Sequence, residues 1–305
     1  MLSFVFIMFP RSAASAKRIS QALDVEPEIV DALDTIDNQD IVDTATVEFK
    51  DVLFTFSDNE HPTLCNINFK TSPGKVTAII GSTGSGKSSV INLIPRFFDA
   101  TEGEVLLSNI NVKKYKLHDL RARIGFVPQQ AVLFSGTVRN NLRFGDEKAS
   151  DADMIEALKV SQSWGFLQEK DGLDTQVSQG GKNFSGGQKQ RLSIARALVR
   201  KPSVYIFDDS FSALDFKTDI KLRTALVDYA KNSSIIIVAQ RVSSIINADQ
   251  IIVLDEGKMV GIGTHNYLLT NCKVYQEIVR SQMDKDEIEK TIKIEQEVLA
   301  LEGGE

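Results

Sequence analysis

"YIFDDSFSALD" (205–215) sets an apolar run against two adjacent carboxylates, Asp208 and Asp209. A strand that ends this way is where nucleotide-hydrolysing proteins hold a magnesium ligand and a catalytic carboxylate. The second carboxylate of such sites is usually a glutamate, and here it is one methylene short. A glycine-rich stretch supplies the other half of the chemistry. "GSTGSGKS" (81–88) matches G-x-x-x-x-G-K-[ST] and lies between the buried-strand pattern "KVTAII" and the helical pattern "KSSVINLIPRFF". Its glycines let successive backbone N–H groups converge on phosphate oxygens at a helix N-terminus. The predicted nucleotide contacts are Gly81, Ser82, Thr83, Gly84, Ser85, Gly86, Lys87, Ser88 and Ser89. Lys87 supplies a point charge for the β- and γ-phosphates, and the Ser88 hydroxyl is placed to ligate Mg²⁺. An aspartate at a strand end also caps turns, but beside this loop Asp208 reads as a metal carboxylate.

"NFSGGQKQRLSIARALVR" (183–200) holds a second candidate anion nest. Ser185, Gly186 and Gly187 precede a helix with Leu192, Ala195, Leu198 and Val199 on one face. One nucleotide has no evident use for two such nests, so the second is expected to cap the γ-phosphate of a nucleotide bound by another subunit. The plainer alternative is an ordinary capped helix with a flexible entry.

These motifs need elements to place them. The chain has 305 residues, 42% hydrophobic and 25% charged, enough for one large domain or two ordinary ones. Its formal charge of −6 argues against a surface that coats nucleic acid. Cys65 and Cys272 stand far apart in no metal-binding pattern and read as two reduced, buried thiols. "TVEFKDVLFTF", "CNINFKTS", "VYIF", "SIIIVA", "QIIVLD" and "KMVGIG" read as strands, with helical patterns between them. This alternation predicts an α/β fold with a mostly parallel sheet. Residues 136–200 read as nearly all helix, a separate lobe. Residues 24–46, rich in Asp and Glu, read as a solvated linker, and 282–305 as a charged tail. His61, His118 and His265 read as surface or loop residues, and Trp164 and Phe166 as core of the helical lobe.

The N-terminal "MLSFVFIMFP" is apolar and uncharged but about half the ~20 residues a membrane-spanning helix needs. Arg11, Lys17 and Arg18 follow it, as basic residues do on the cytoplasmic flank of a membrane helix. Residues 1–23 are therefore expected to be the last turns of a transmembrane helix and its extension. A short apolar helix packed on the domain is the alternative.

The ordered set "GSTGSGKS", "VPQQ", "FSGGQKQR", "YIFDD" and "SALD" resembles the nucleotide-binding domain of an ATP-binding-cassette (ABC) transporter over residues 47–281. The resemblance implies a P-loop NTPase core, an antiparallel β region and a helical subdomain carrying the signature, with ATP and Mg²⁺ as cofactors. It implies that Gln129 touches the metal, that Phe184, Ser185, Gly186, Gly187 and Gln188 face a partner's nucleotide, and that Ser212, Ala213, Leu214 and Asp215 cross the dimer interface. Phe56 falls where the family stacks an aromatic on adenine. Phenylalanine keeps the π-face; a core strand residue is the other reading. "TQVSQGG" (175–181) and the helix "SAASAKRI" resemble exporter features, implying a transmembrane domain and the cytoplasmic face of the plasma membrane.

Two departures stand out. The family's catalytic Glu is Asp209, and its switch His is Gln240. Together they resemble the degenerate-site subunit of a heterodimeric bacterial multidrug or lipid exporter, its upstream part absent from this chain. The implied partner is a cassette bearing both Glu and His. A non-hydrolysing scaffold, or a soluble ABC ATPase acting on the ribosome or DNA, are the alternatives. The acidic linker and the short span between the phosphate loop and the signature argue against the latter.

Overall fold

The computed structural model describes residues 2–282; the charged-tail reading of 283–305 lies outside them. In chain order the elements are α1 (Leu2–Leu23), β1 (Val47–Phe54), β2 (Leu64–Lys70), β3 (Val76–Gly81), α2 (Lys87–Leu93), β4 (Glu102–Leu107), β5 (Ile110–Asn111) and α3 (Leu117–Ala122). Then come β6 (Ile124–Val127), β7 (Gly136–Thr137), α4 (Val138–Arg143), α5 (Asp151–Val160), α6 (Trp164–Gln168), β8 (Gln176–Val177) and α7 (Gly186–Leu198). The chain continues through β9 (Val204–Asp208), α8 (Phe216–Tyr229), β10 (Ser234–Val238), β11 (Gln250–Asp255), β12 (Lys258–Gly263), α9 (His265–Asn271) and α10 (Lys273–Gln282).

Ten strands form one sheet in the order β5-β4-β1-β2-β12-β11-β3-β10-β9-β6 among the described residues. β11, β3, β10, β9 and β6 run parallel, while β1, β2, β4 and β5 pair antiparallel. The parallel strands are continuous apolar runs because both faces are covered. Alternate residues go to opposite sides: Tyr205, Phe207, Ile235 and Ile237 pack in one core, Val204, Ile206, Ile236 and Val238 in the other. Each fully buried side chain of this size contributes about 1.5–3 kcal/mol.

Residues 136–200 carry four helices, α4 to α7, but also a two-stranded antiparallel ladder of β7 with β8. That ladder corrects the nearly all-helical reading. Glycine and threonine at 136–137 and glutamine and valine at 176–177 give too short an apolar pattern to signal strands. Trp164 and Phe166 pack partly buried against this lobe's core.

The acidic segment before β1 is not simply solvated. Asp43 accepts hydrogen bonds from Ser108 Oγ (2.8 Å), the Ala45 N–H (2.9 Å) and Arg123 Nη1 (2.6 Å), and also from Ser203 Oγ. Asn38 Oδ1 accepts from Arg123 Nη2 (2.6 Å), Asp31 from the Leu117 N–H (2.6 Å), and the Ile36 N–H bonds Lys114 O (2.9 Å). The aspartates serve as acceptors for donors the domain leaves at its edge, so the segment is a strap.

His265 also departs from its surface reading. It is 3% exposed, and its Nδ1 lies 2.7 Å from the hydroxyl of buried Tyr275, joining α9 to α10. Cys272 is buried but Cys65 only half so, and both are free thiols. In α1, Phe6, Ile7 and Phe9 are exposed. No helix among the described residues is long and apolar enough to cross a membrane.

Candidate functional site

Four parallel strands end side by side, and each leads into a predicted residue. β3 ends in Gly81 and the phosphate loop; β9 ends in Asp208; Gln129 follows β6 and Gln240 follows β10. Register makes them neighbours: Val238 pairs with Asp208 on one side and Ile79 on the other, and Val127 pairs with Phe207. Ligands of open α/β sheets bind at such carboxyl ends.

The loop's geometry depends on its glycines. A Cβ on Gly81 would sit 2.1 Å from Leu254 O, so only glycine lets the loop pass β11 this closely. Gly86 caps α2 at φ 95° with no side-chain hydrogen bond, and Gly84, at φ 83°, would direct a Cβ into open space. Both glycines hold left-handed backbone that a side chain would strain. Ser85 is buried, whereas Ser82, Thr83 and Ser88 are exposed and Ser89 is half-buried. Lys87 Nζ donates to Gly81 O (2.9 Å) and Ser82 O (2.7 Å), with Ser85 Oγ at 3.4 Å. Burial pushes the Lys87 ammonium below its ordinary pKa, and the charges of Asp208 and Asp209 oppose that.

Both carboxylates at the end of β9 lie above their ordinary range. Burial pushes Asp208 above the ordinary carboxylate range, the Asp209 charge adds to it, and Lys87 opposes. Asp209 is raised too: burial outweighs the bonds from Gln129 and Ser212. Its Oδ2 accepts from Gln129 Nε2 at 3.3 Å, its N–H donates to Val238 O (3.0 Å), and its backbone stands at φ 45°, left-handed. Ser210 Oγ donates to Val127 O (3.0 Å), fastening the turn after β9 to β6. Ser88, Asp208 and Gln129 offer only oxygen donors toward a cation, which suits a hard divalent ion such as Mg²⁺. The left-handed backbone at Gly84 and Gly86, leading into α2 beside Lys87, suits a polyphosphate.

The second nest is self-capped in this chain. Ser185 Oγ accepts from the Gln188 N–H (3.3 Å), and Gln188 Oε1 accepts from the Ser185 N–H (3.0 Å), a capping box that starts α7. Ser185 and Gly186 are exposed. A Cβ on Gly187 would meet Ala213 O at 3.1 Å, so the nest lies against the 212–215 turn. There Ser212 Oγ donates to Asp209 O (2.8 Å), Leu214 is half-buried, and Asp215 caps α8 by accepting from the Thr218 N–H (3.0 Å). Phe184 is buried beneath Lys170, whose ammonium lies 5.1 Å from the ring centroid. No hydrogen bond among the described residues joins 184–188 to 81–88.

Phe56 lies just past β1, half-buried and edge-on to Phe54 (4.7 Å) and Phe98 (5.1 Å). Sequence reasoning missed Gln190. It is 3% exposed, and its Nε2 donates to Pro128 O (3.3 Å), tying α7 to the residue before Gln129. Its signal was available: positions 190, 194 and 198 share the inward face, so a glutamine there needs a partner.

Residues 64–212 match the ABC transporter family. An ABC transporter ATP-binding protein of Mycobacterium bovis is 45% identical over 92% of this chain and 49% of its own length. An ATP-dependent lipid A-core flippase of Wigglesworthia glossinidia brevipalpis is 40% identical over 78% of this chain and 42% of its own. Among solved structures, a bacterial Atm1-family ABC exporter with ATP bound superposes with a TM-score of 0.84 at 31% identity, covering 93% of this chain and 50% of that one. The chain spans about half the length of the relatives it matches.

Proposed function

We propose that this chain, which carries an ABC transporter ATP-binding domain of the exporter type, binds Mg·ATP at residues 81–89 and works in a pair with a second, hydrolytically complete cassette. In this reading Lys87 and the loop amides hold the β- and γ-phosphates, and Phe56 offers its ring to adenine. Ser88, Asp208 and Gln129 would hold Mg²⁺, which when bound offsets charge on the phosphate oxygens. The strap and α1 lead to a transmembrane domain at the cytoplasmic face of the membrane, and the paired cassettes drive export.

The observation that carries the division of labour is Asp209. Its carboxylate occupies the position beside Gln129, yet it is about a bond length shorter than a glutamate. Misplacement of ~1 Å costs about 10²-fold in rate, or ~2.7 kcal/mol of barrier. Gln240 hydrogen-bonds a γ-phosphate but cannot shift a proton as an imidazole does. The chain's own site therefore retains ATP and hydrolyses it slowly. Its 185–187 nest, exposed at Ser185 and Gly186, completes the partner's site, where γ-phosphate charge is stabilised.

The test is steady-state hydrolysis and transport by the reconstituted pair. Ser185→Ala, or a bulky residue at Gly186, is expected to remove most of both, while Asp209→Ala retains much of both. Equal damage from the two would place hydrolysis in this chain's own site and end the heterodimer reading.

A further inference from the structure

The sheet ladder reaches Ala239, whose N–H bonds Ile79 O at 3.1 Å, and the chain then leaves β10 through Gln240 toward a 3-10 turn at Val242–Ser244. Across that departure lies one side chain from the other end of the domain. Gln282 Nε2 donates to Gln240 O at 2.8 Å, and Gln282 Oε1 accepts from the Val242 N–H at 2.8 Å. Both are short, ordinary N–H···O bonds. The carboxamide brackets residue 241 as a neighbouring strand would, with one donor and one acceptor, where no strand is present.

The placement follows from helix geometry. Tyr275, Val279 and Gln282 stand at i, i+4 and i+7 and so share one face of α10. Tyr275 and Val279 are 0% and 1% exposed, and the Tyr275 hydroxyl is fastened to His265. The core thus seats the helix, and the turn at 279–282 delivers the amide. Val242, which receives it, is itself fully buried.

We propose that Gln282 is a positioning residue. The C-terminal helix fixes the main chain at 240–242, and with it the direction in which Gln240 presents its side chain to the γ-phosphate of a nucleotide bound at 81–88. This rests on the phosphate-facing reading of Gln240 given above. Glutamine is the side chain that suits the task. Glutamate would keep the acceptor for the Val242 N–H but turn a second oxygen toward the Gln240 carbonyl; alanine would lose both bonds.

The experiment uses the full chain and compares its affinity for Mg·ATP with that for Mg·ADP, since the two differ only in the γ-phosphate. Gln282→Ala and Gln282→Glu are expected to weaken ATP binding about two- to tenfold, the range a neutral hydrogen bond supplies, and to leave ADP binding unchanged. Gln240→Ala should give the same selective loss, and the double variant should be no worse than Gln240→Ala alone. Hydrogen exchange at the Val242 amide should quicken in Gln282→Ala and stay slow in Gln282→Glu. Equal losses for ATP and ADP, additive losses in the double variant, or no loss at all would overturn the proposal. If Gln240→Ala leaves the preference for ATP intact while Val242 exchange still follows Gln282, the phosphate-facing reading of Gln240 has failed, and the positioning role falls with it.

Discussion

Strands β6 and β9 carry a carboxylate site at each end, and the two sites are opposites. At their N-terminal ends Asp43 accepts from four donors, two of them from Arg123 and Ser203 at the entries to these strands. At their C-terminal ends the Asp209 carboxylate accepts from Gln129 Nε2 at a long 3.3 Å, with Ser212 as its other side-chain hydrogen-bond partner among the described residues. Burial raises both pKa values, but around Asp43 the bonds from Ser203, Ala45 and Ser108 and the Arg123 charge more than reverse it, leaving it below its ordinary value. Asp209 stays above. A carboxylate that holds the fold together is given its partners by the fold. One proposed to serve a ligand has fewer of them.

The largest effect expected from this contrast is on stability. Asp43→Ala takes the carboxylate from Arg123, which keeps only Asn38 Oδ1 among the described residues, and the acceptor from two hydroxyls, and should cost about 2–4 kcal/mol in denaturant unfolding. A cost under ~1 kcal/mol would make the strap ornamental. Next is Lys87→Ala, which removes the cation facing the other end. It should weaken Mg·ATP by at least about tenfold, ~1.4 kcal/mol, with little change in folding. Unchanged affinity in a calorimetric titration would remove the assignment of the 81–88 loop.

The smallest effect tests the sign. Asp209 binds its proton more tightly folded than unfolded, so the folded state is favoured by acid in that window and loses stability as pH rises through it. Asp209→Asn should abolish that slope and shift neutral stability by only about 0.5 kcal/mol, upward. Asp43 behaves in reverse. Its contribution is present above the unfolded value of about 3.9 and lost as pH falls through the lower folded one. Parallel slopes in the two difference curves would break the comparison.

The placement of the predicted phosphate-loop and strand-end residues was legible because their motifs are local in sequence. Gly81 to Ser88 must be contiguous to wrap a phosphate, and Asp208 must end a strand, so both announce themselves. Ser185 showed its place at a helix start, although not that Gln188 would cap it in return. The structural end was not legible. Asp43 sits among many acidic residues, and a charge run looks the same whether water or Ser203, 160 residues away in sequence, satisfies it. His265 is read as surface from its type alone, because only the fold brings Tyr275 under its ring. Gln282 is invisible for the same reason: its partners are main-chain atoms, which carry no sequence signature.

The strap also has a mechanical consequence. Its attachments lie in series along the chain, with Val30 O on Arg96 Nη2 first, then Asp31 on the Leu117 N–H, Ile36, Asn38 and Asp43. Tension entering along the chain from α1 would reach the first of these before the others. The last it would reach are those on Arg123 and Ser203. A pull strong enough to reach them acts on the roots of the two strands whose tips carry Gln129 and Asp208.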